Sequence, residues 1–153
     1  MIHLKEKIKK FLPIFIPLIG GAIVGFLISS HIDYDTLTKP PLSPPALIFP
    51  IAWSIIYLLL GIGYYLVLKV NPNYDNKRLY YISLIINYLW SIIFFIFKWR
   101  FFSIAWILLL DITVIYLVKS FYKENKISAY LQIPYLVWLA FATYLNIGIY
   151  ILN

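Results

Sequence analysis

Five long apolar segments, separated by short polar or charged stretches, dominate this chain of 153 residues. A run of about 20 apolar residues is long enough for an α-helix to cross the roughly 30 Å hydrocarbon core of a bilayer. Charged residues or helix breakers bound each run. We therefore predict an all-α fold, an integral membrane bundle of five transmembrane helices, in a single domain over residues 1–153. The predicted spans are about 11–30, 46–68, 79–97, 102–118 and 129–152.

Composition excludes several other classes of protein. Hydrophobic residues make up 63% of the chain and charged residues only 12%, against about 25% charged residues in soluble domains. A small soluble domain could not bury so much apolar surface. The net charge of +7 does not indicate nucleic-acid binding, because the cations lie only between the apolar runs. The absence of cysteine excludes disulfides, thiolate metal sites and thiol catalysis.

The distribution of basic residues predicts the orientation in the membrane. Ten of the thirteen Lys and Arg residues fall in the N-terminal segment, the second loop and the fourth loop. By the positive-inside rule the N-terminus is cytoplasmic and the C-terminus lies outside. We expect the first span to be a retained helix, because its apolar run is too long for a cleaved signal peptide. The Ile-, Tyr-, Lys- and Asn-rich usage favours a bacterial cytoplasmic membrane.

One acidic residue, Asp111, falls at mid-depth, in the middle of the fourth predicted span. A charge inside a bilayer is costly and usually marks function or a helix contact. Asp111 is either an acceptor lining a cavity or a carboxyl that joins two helices by a hydrogen bond. Without an intramembrane basic partner, it gives little support to ion pumping.

Polar and aromatic residues recur at helical spacing on three predicted spans. Such residues either bind neighbouring helices together or form the wall of a binding site. Trp53 and Trp138 lie deeper than interfacial anchors need to, so inward-facing indoles could stack on a flat aromatic ligand. The residues concerned are Trp53 and Tyr57 on the second span, Asn87, Trp90, Ser91 and Phe94 on the third, and Trp138, Ala142 and Leu145 or Asn146 on the fifth.

The only histidines, His3 and His31, lie outside the spans, and the only methionine is Met1. The spans therefore offer no axial ligand for haem iron, and we predict no metal site and no permanent cofactor. A metal-free tetrapyrrole, or a haem held by stacking alone, remains open. On the first span, Gly21 and Gly25 form a small-xxx-small pattern that serves either internal packing or dimerisation.

The connection 31–45 is proline-rich, with Pro40, Pro41, Pro44 and Pro45 within six residues. Proline fixes φ and removes backbone donors, so this loop is a stiff, extended lead into the second helix. It is either a rigid connector or a lid over an opening of the bundle.

Three segments of this chain together resemble the TspO/MBR family, the tryptophan-rich sensory proteins related to the mitochondrial translocator protein (peripheral benzodiazepine receptor). The matches span nearly the whole chain in order. They are Tyr34-x-x-Leu37-x-Lys39-Pro40-x-x-x-Pro44-Pro45 followed by Phe49, Trp53 and Tyr57; Asn87-x-x-Trp90 with Phe94; and Pro134-Tyr135-x-x-Trp138-x-x-Phe141-Ala142-x-x-Leu145-Asn146.

The resemblance implies a five-helix bundle with a pocket beneath the first loop. Such a pocket binds porphyrins (protoporphyrin IX, haem) and other hydrophobic molecules, often in a homodimer within the lipid. Trp53 and Trp138 match the tryptophans that the family links to light-dependent porphyrin breakdown, the catalytic residues if that activity is real. Carried over by position, the ligand-binding residues are Tyr34, Pro44, Trp53, Tyr57, Asn87, Ser91, Phe94, Asp111, Trp138 and Ala142.

Two departures from the family pattern affect the lid. Asp33 and Leu42 stand where the family commonly has tryptophan, so we expect a weaker hold on ligand. The cholesterol pattern is incomplete, because no basic residue follows Tyr144 or Tyr150, and that pattern is weak even when complete.

Three functions follow as hypotheses. The first is a receptor or sensor that binds porphyrins and buffers or transports them. The second is a light-dependent porphyrin-degrading enzyme, and the third is a transporter of ions or metabolites.

Overall fold

The computed structural model describes residues 1–153 and is helical, without strands. The helices are α1 (Ile2–Ile28), α2 (Ile48–Val70), α3 (Lys77–Ser91), α4 (Arg100–Glu124), α5 (Lys126–Tyr130) and α6 (Ile133–Leu152). Five helical stretches are long and apolar enough to cross a membrane. The predicted all-α class and the five membrane-crossing helices are therefore confirmed.

Helix bounds differ from the predicted spans mainly at the polar ends. Helix α1 begins at Ile2 and α4 continues to Glu124, so both helices include lysines that the apolar spans left out. At 1.5 Å per residue α1 is about 40 Å long, more than the hydrocarbon core needs. The fifth span is two helices, because the chain turns at Leu131 and Gln132 before α6 starts with Pro134 in its first turn.

The bundle is solid in the half that contains the second loop, around the end of α2 and the start of α3. The rings of Tyr64 and Tyr80 stack with centroids 3.7 Å apart, and Phe121 lies parallel to Tyr64 at 6.5 Å. Phe121 is itself fully buried, and so are the neighbouring side chains of Leu60, Val67 and Leu117. This half of the bundle is therefore filled by aromatic and aliphatic side chains.

The turn between α3 and α4 is short and irregular. Helix α3 ends in a π-helical stretch, Ile92–Ile96, and Lys98 takes a left-handed backbone conformation with φ 56°. That conformation costs a residue with a side chain about 1–2 kcal/mol. It reverses the chain at once into α4, which makes α3 and α4 an antiparallel hairpin.

The loop 31–45 is closed by a hydrogen bond between its two ends and is tied from its middle to α6 and the C-terminal residue. Tyr34 Oη donates to the carbonyl oxygen of Pro44 (2.7 Å). The backbone of Thr38 exchanges two hydrogen bonds with the side-chain amide of Asn153, at 3.0 and 2.8 Å. Tyr144 Oη donates to the carbonyl oxygen of Pro41 (2.8 Å). We therefore refer to this loop as the lid, because it is held across the end of the bundle where α6 terminates.

Helices α1 and α2 are in close contact at Gly61. A Cβ at this position would overlap the backbone carbonyl of Ile14, which cannot move without shifting α1 as a whole. The absence of a side chain at Gly61 is therefore what permits this contact.

We predict that Gly61→Ala destabilises the bundle by about 1–3 kcal/mol, because overpacking forces the two backbones apart. The measurement is the midpoint of thermal unfolding in detergent. Gly25→Ala is the matched control, since a Cβ at Gly25 meets nothing within 4 Å while the gain in helix propensity is the same. Equal midpoints for the two variants would contradict the close-contact interpretation.

Candidate functional site

A cavity of about 410 Å³ lies in the half of the bundle that the lid covers. It is bounded by α1, α2, the α3 end with its π-helical stretch, and α6, and Tyr34 of the lid contributes to its wall. Sixteen of the 22 lining residues are hydrophobic, so the cavity suits an apolar ligand. The volume falls within the range usual for small-molecule sites.

Six of the ten predicted ligand-binding residues line this cavity. Trp53 and Tyr57 lie one helical turn apart on α2, with their rings stacked at 5.5 Å. Phe94 stacks on Trp90, which also lines the cavity, at 5.4 Å. The six residues are Tyr34, Trp53, Tyr57, Ser91, Phe94 and Ala142.

Asn87 is not in the lining but ties together two helices behind it. Its side-chain oxygen accepts a hydrogen bond from Tyr57 Oη (2.6 Å), and its side-chain nitrogen donates to Tyr135 Oη (2.7 Å). The structure therefore gives Asn87 the role of a polar link between α2, α3 and α6, one of the two roles expected of it from spacing.

Asp111 and Trp138 also lie outside the lining. Asp111 accepts a hydrogen bond from Thr143 Oγ1 (2.7 Å), so it joins α4 to α6, the second of its two predicted roles. Trp138 packs edge-on against Trp53, with ring centroids 6.4 Å apart, and against Phe49 at 5.7 Å. It stands one layer behind the wall that Trp53 forms.

Pro44 holds the lid rather than the cavity wall, through the hydrogen bond that its carbonyl oxygen accepts from Tyr34. The phenol ring of Tyr34 is buried and contacts Phe49 edge-on at 5.0 Å. The lid therefore closes the cavity with an aromatic ring whose own hydroxyl is already satisfied.

Asn146 was named as an alternative to Leu145 on the face of Trp138 and Ala142, but it was not among the ten predicted ligand-binding residues. It is buried, lines the cavity and accepts a hydrogen bond from the Trp90 indole nitrogen (2.9 Å). Its side-chain nitrogen donates to Ser103 Oγ (3.0 Å). Because both the oxygen and the nitrogen of this amide already have partners, Asn146 contributes to the shape of the cavity wall and offers a ligand few hydrogen bonds.

The contribution of α1 to the cavity was also missed. Gly21, Ala22 and Gly25 all line it, and a Cβ at Gly21 would overlap the ring of Tyr57. The small-xxx-small pattern was the available signal, but spacing alone does not say whether such a face meets a helix, a second copy or a hollow. Within this chain Gly21 packs on Tyr57 and Gly25 borders open space.

The cavity opens sideways between α1 and α2. Four lining residues, Ala22 and Gly25 of α1 and Pro50 and Ser54 of α2, are exposed on the outside of the bundle. In a membrane a gap on the side of the bundle faces lipid, whereas the lid covers one of the two ends that face water.

A charged cluster sits where the lid meets the α3–α4 turn. Arg100 Nη2 donates to both carboxylate oxygens of Asp33, at 2.8 and 2.7 Å, and Lys98 Nζ lies 3.4 Å from the same carboxylate. Partial burial by itself raises the pKa of Asp33. The hydrogen bonds from Arg100 and the positive charges of Arg100 and Lys98 outweigh this effect and lower the pKa below its ordinary value. Asp33 is therefore an anion, and it replaces the family's tryptophan with an ionic link.

The structure contains no group of three or more His, Cys, Asp or Glu side chains that could hold a metal ion. The other departure from the family pattern, Leu42, is 86% exposed and has a left-handed backbone with φ 66°. It does not contribute to the cavity wall.

Comparison with known proteins agrees with this architecture. The chain is 37% identical to the tryptophan-rich protein TspO of Archaeoglobus fulgidus over 123 residues, covering 78% of this chain and 79% of that protein. It is 30% identical to the tryptophan-rich sensory protein of Cereibacter sphaeroides over 125 residues, 82% of this chain and 79% of that protein. It is 32% identical to the human translocator protein over 118 residues, 74% and 70% of the two chains.

A sequence model of the TspO/MBR family matches residues 13–152, which include every residue that lines the cavity. With five apolar helices, an aromatic-walled hollow and a proline-rich lid in the same chain, this integral membrane protein belongs to the TspO/MBR family.

Proposed function

We propose that this protein is a membrane receptor that binds porphyrins, such as protoporphyrin IX, and other hydrophobic molecules in the cavity beneath the lid. The observation that carries the proposal is the apolar hollow in the half of the bundle that the lid covers, walled by Trp53, Trp90 and Phe94. Binding there allows the protein to buffer, sense or transport its ligand. The names of the relatives, sensory protein and translocator protein, support this class of function.

The chemistry of the wall favours a flat aromatic ligand. Aromatic rings stack on one another with about 0.5–1.5 kcal/mol beyond the effect of buried area, and the wall presents several such rings from α2 and α3. The hydroxyl of Tyr57 and the indole nitrogen of Trp90 are already bound to Asn87 and Asn146. Binding therefore depends on stacking and shape, with few new hydrogen bonds.

The same proposal includes the setting in the membrane. We place the protein in a bacterial cytoplasmic membrane on the basis of its residue usage. We place the N-terminus on the cytoplasmic side, because the basic residues concentrate at the solid end of the bundle. The lid and the cavity then lie toward the outer face, and a homodimer is the assembly that the family resemblance implies.

Filling the cavity should abolish binding without unfolding the bundle. Ala142 is buried in the lining, so Ala142→Phe places a ring where the ligand would lie. We expect the affinity for protoporphyrin IX, measured by quenching of tryptophan fluorescence, to fall at least about tenfold, a loss of about 1.4 kcal/mol or more.

Ala140→Phe is the matched control for this measurement, because Ala140 lies on the same helix but is exposed on the outside of the bundle. It should bind as the unmodified protein does. Unchanged affinity in Ala142→Phe, with its thermal midpoint preserved, would show that the porphyrin binds elsewhere.

A second candidate, light-dependent porphyrin degradation, is favoured by one observation. The indole of Trp53 lines the cavity and is flanked by the rings of Tyr57 at 5.5 Å and Trp138 at 6.4 Å. A porphyrin excited by light beside these rings would react with oxygen next to residues that can themselves be oxidised. The protein would contribute position, while light and oxygen drive the reaction.

Under this second candidate, Trp53→Phe should slow the light-driven loss of bound protoporphyrin more than Trp138→Phe does. The reason is that Trp53 borders the ligand space and Trp138 stands behind it. Absorption spectra under illumination, with and without oxygen, give the rate and reveal any new chromophore. A rate equal to that with free tryptophan at the same concentration would mark the reaction as incidental photochemistry.

A further inference from the structure

The guanidinium of Arg100 lies next to the wall of the cavity at its lid end. Its central carbon, Cζ, is 4.1 Å from the ring centroid of Phe94, which lines the cavity. The side chain of Asn146, another lining residue, donates to the backbone carbonyl of Arg100 (3.4 Å). The lid residue next to Asp33 is Tyr34, which also lines the cavity. A single layer of side chains thus separates a cation from an apolar hollow.

Only part of this guanidinium is used within the protein. Both hydrogen bonds to Asp33 come from Nη2, whereas Nη1 is buried and has no hydrogen-bond partner. A paired arrangement with one carboxylate oxygen on each terminal nitrogen is the common geometry for arginine and a carboxylate. A buried donor without an acceptor destabilises the protein. A ligand that accepts a hydrogen bond from Nη1 would remove this cost and bind more tightly.

The local charge also favours an anion. Lys98 and Arg100 share the single carboxylate of Asp33, which leaves one positive charge in excess. The side chain of Lys98 is 52% exposed, and that of Arg100 only 14%. Because the buried cation is the less screened of the two, an anion arriving from the cavity gains more from Arg100 than from Lys98.

We propose that Arg100 recognises a carboxylate on an otherwise apolar ligand of this cavity, with Nη1 as the donor. The inference rests on the proposed function and adds a ligand class to it: flat hydrophobic acids, rather than neutral molecules of the same shape. The apolar body lies against Trp90 and Phe94, and the carboxylate passes the edge of the Phe94 ring toward Nη1. Asp33 holds the guanidinium in place from the lid side when the cavity is empty.

Protoporphyrin IX and its dimethyl ester test this proposal, because they share one ring system and differ in the carboxylates. Binding of each is measured by tryptophan fluorescence quenching in the same detergent. The unmodified protein should bind the acid at least about tenfold more tightly than the ester, the order expected for a hydrogen bond to a charged group. In Arg100→Gln the affinity for the acid should fall at least about tenfold more than the affinity for the ester.

Asp33→Asn is the matched control, because it breaks the ionic link to the lid and leaves the guanidinium present. The preference for the acid should be kept or increased in this variant, since the competing carboxylate is gone. The two porphyrins partition into detergent to different extents, but this difference is the same for every variant. It therefore cancels when the acid-to-ester affinity ratios of two variants are compared. Thermal midpoints show whether each variant is folded.

The outcomes separate this inference from the proposed function. If Arg100→Gln prefers the acid as strongly as the unmodified protein does, the role of Arg100 is overturned. Binding of the ester would in that case still support the cavity as the binding site. Equal weakening of acid and ester in both Arg100→Gln and Asp33→Asn would reduce Arg100 to a support for the lid, which also overturns the proposal. Failure of the unmodified protein to bind either porphyrin would refute the proposed function and, with it, this inference.

Discussion

The hydrogen bonds of two buried amides, Asn87 and Asn146, hold the cavity open. In lipid no water is available to satisfy a buried polar group, so each amide must find partners on neighbouring helices. Asn87 links α2, α3 and α6 through Tyr57 and Tyr135, and Asn146 links α3, α4 and α6 through Trp90 and Ser103. The aromatic partners are thereby fixed around the hollow and cannot collapse into it.

One half of the bundle is solid and the other is hollow because their aromatic rings pack differently. At the end with the second loop, Tyr64, Tyr80 and Phe121 lie nearly parallel and fill the space between helices. At the end with the lid, the rings of Trp90 and Phe94 stack on each other along the wall. The lid, pinned through Asn153, lies over the hollow, while the gap between α1 and α2 opens on the side of the bundle.

Much of the site was predictable from helical spacing. Trp53 and Tyr57, like Ser91 and Phe94, share helix faces, and all four line the cavity. Spacing gives the direction of a side chain but not its distance from the bundle axis. For this reason Trp138 was expected in the wall and lies one layer behind it. Similarly, the Gly21 and Gly25 pattern on α1 indicated a close approach without saying that the hollow lies against it.

The amino-acid sequence by itself determined the five membrane-crossing helices, because only long apolar helices can satisfy their backbone in lipid. It also determined the stiff proline-rich loop and, through its motifs, the family. Only the tertiary structure decided that Asp111 pairs with Thr143 away from the cavity and that Asp33 meets Arg100 across 67 positions of sequence. Those contacts depend on how helices rotate and close on one another, which local spacing does not specify.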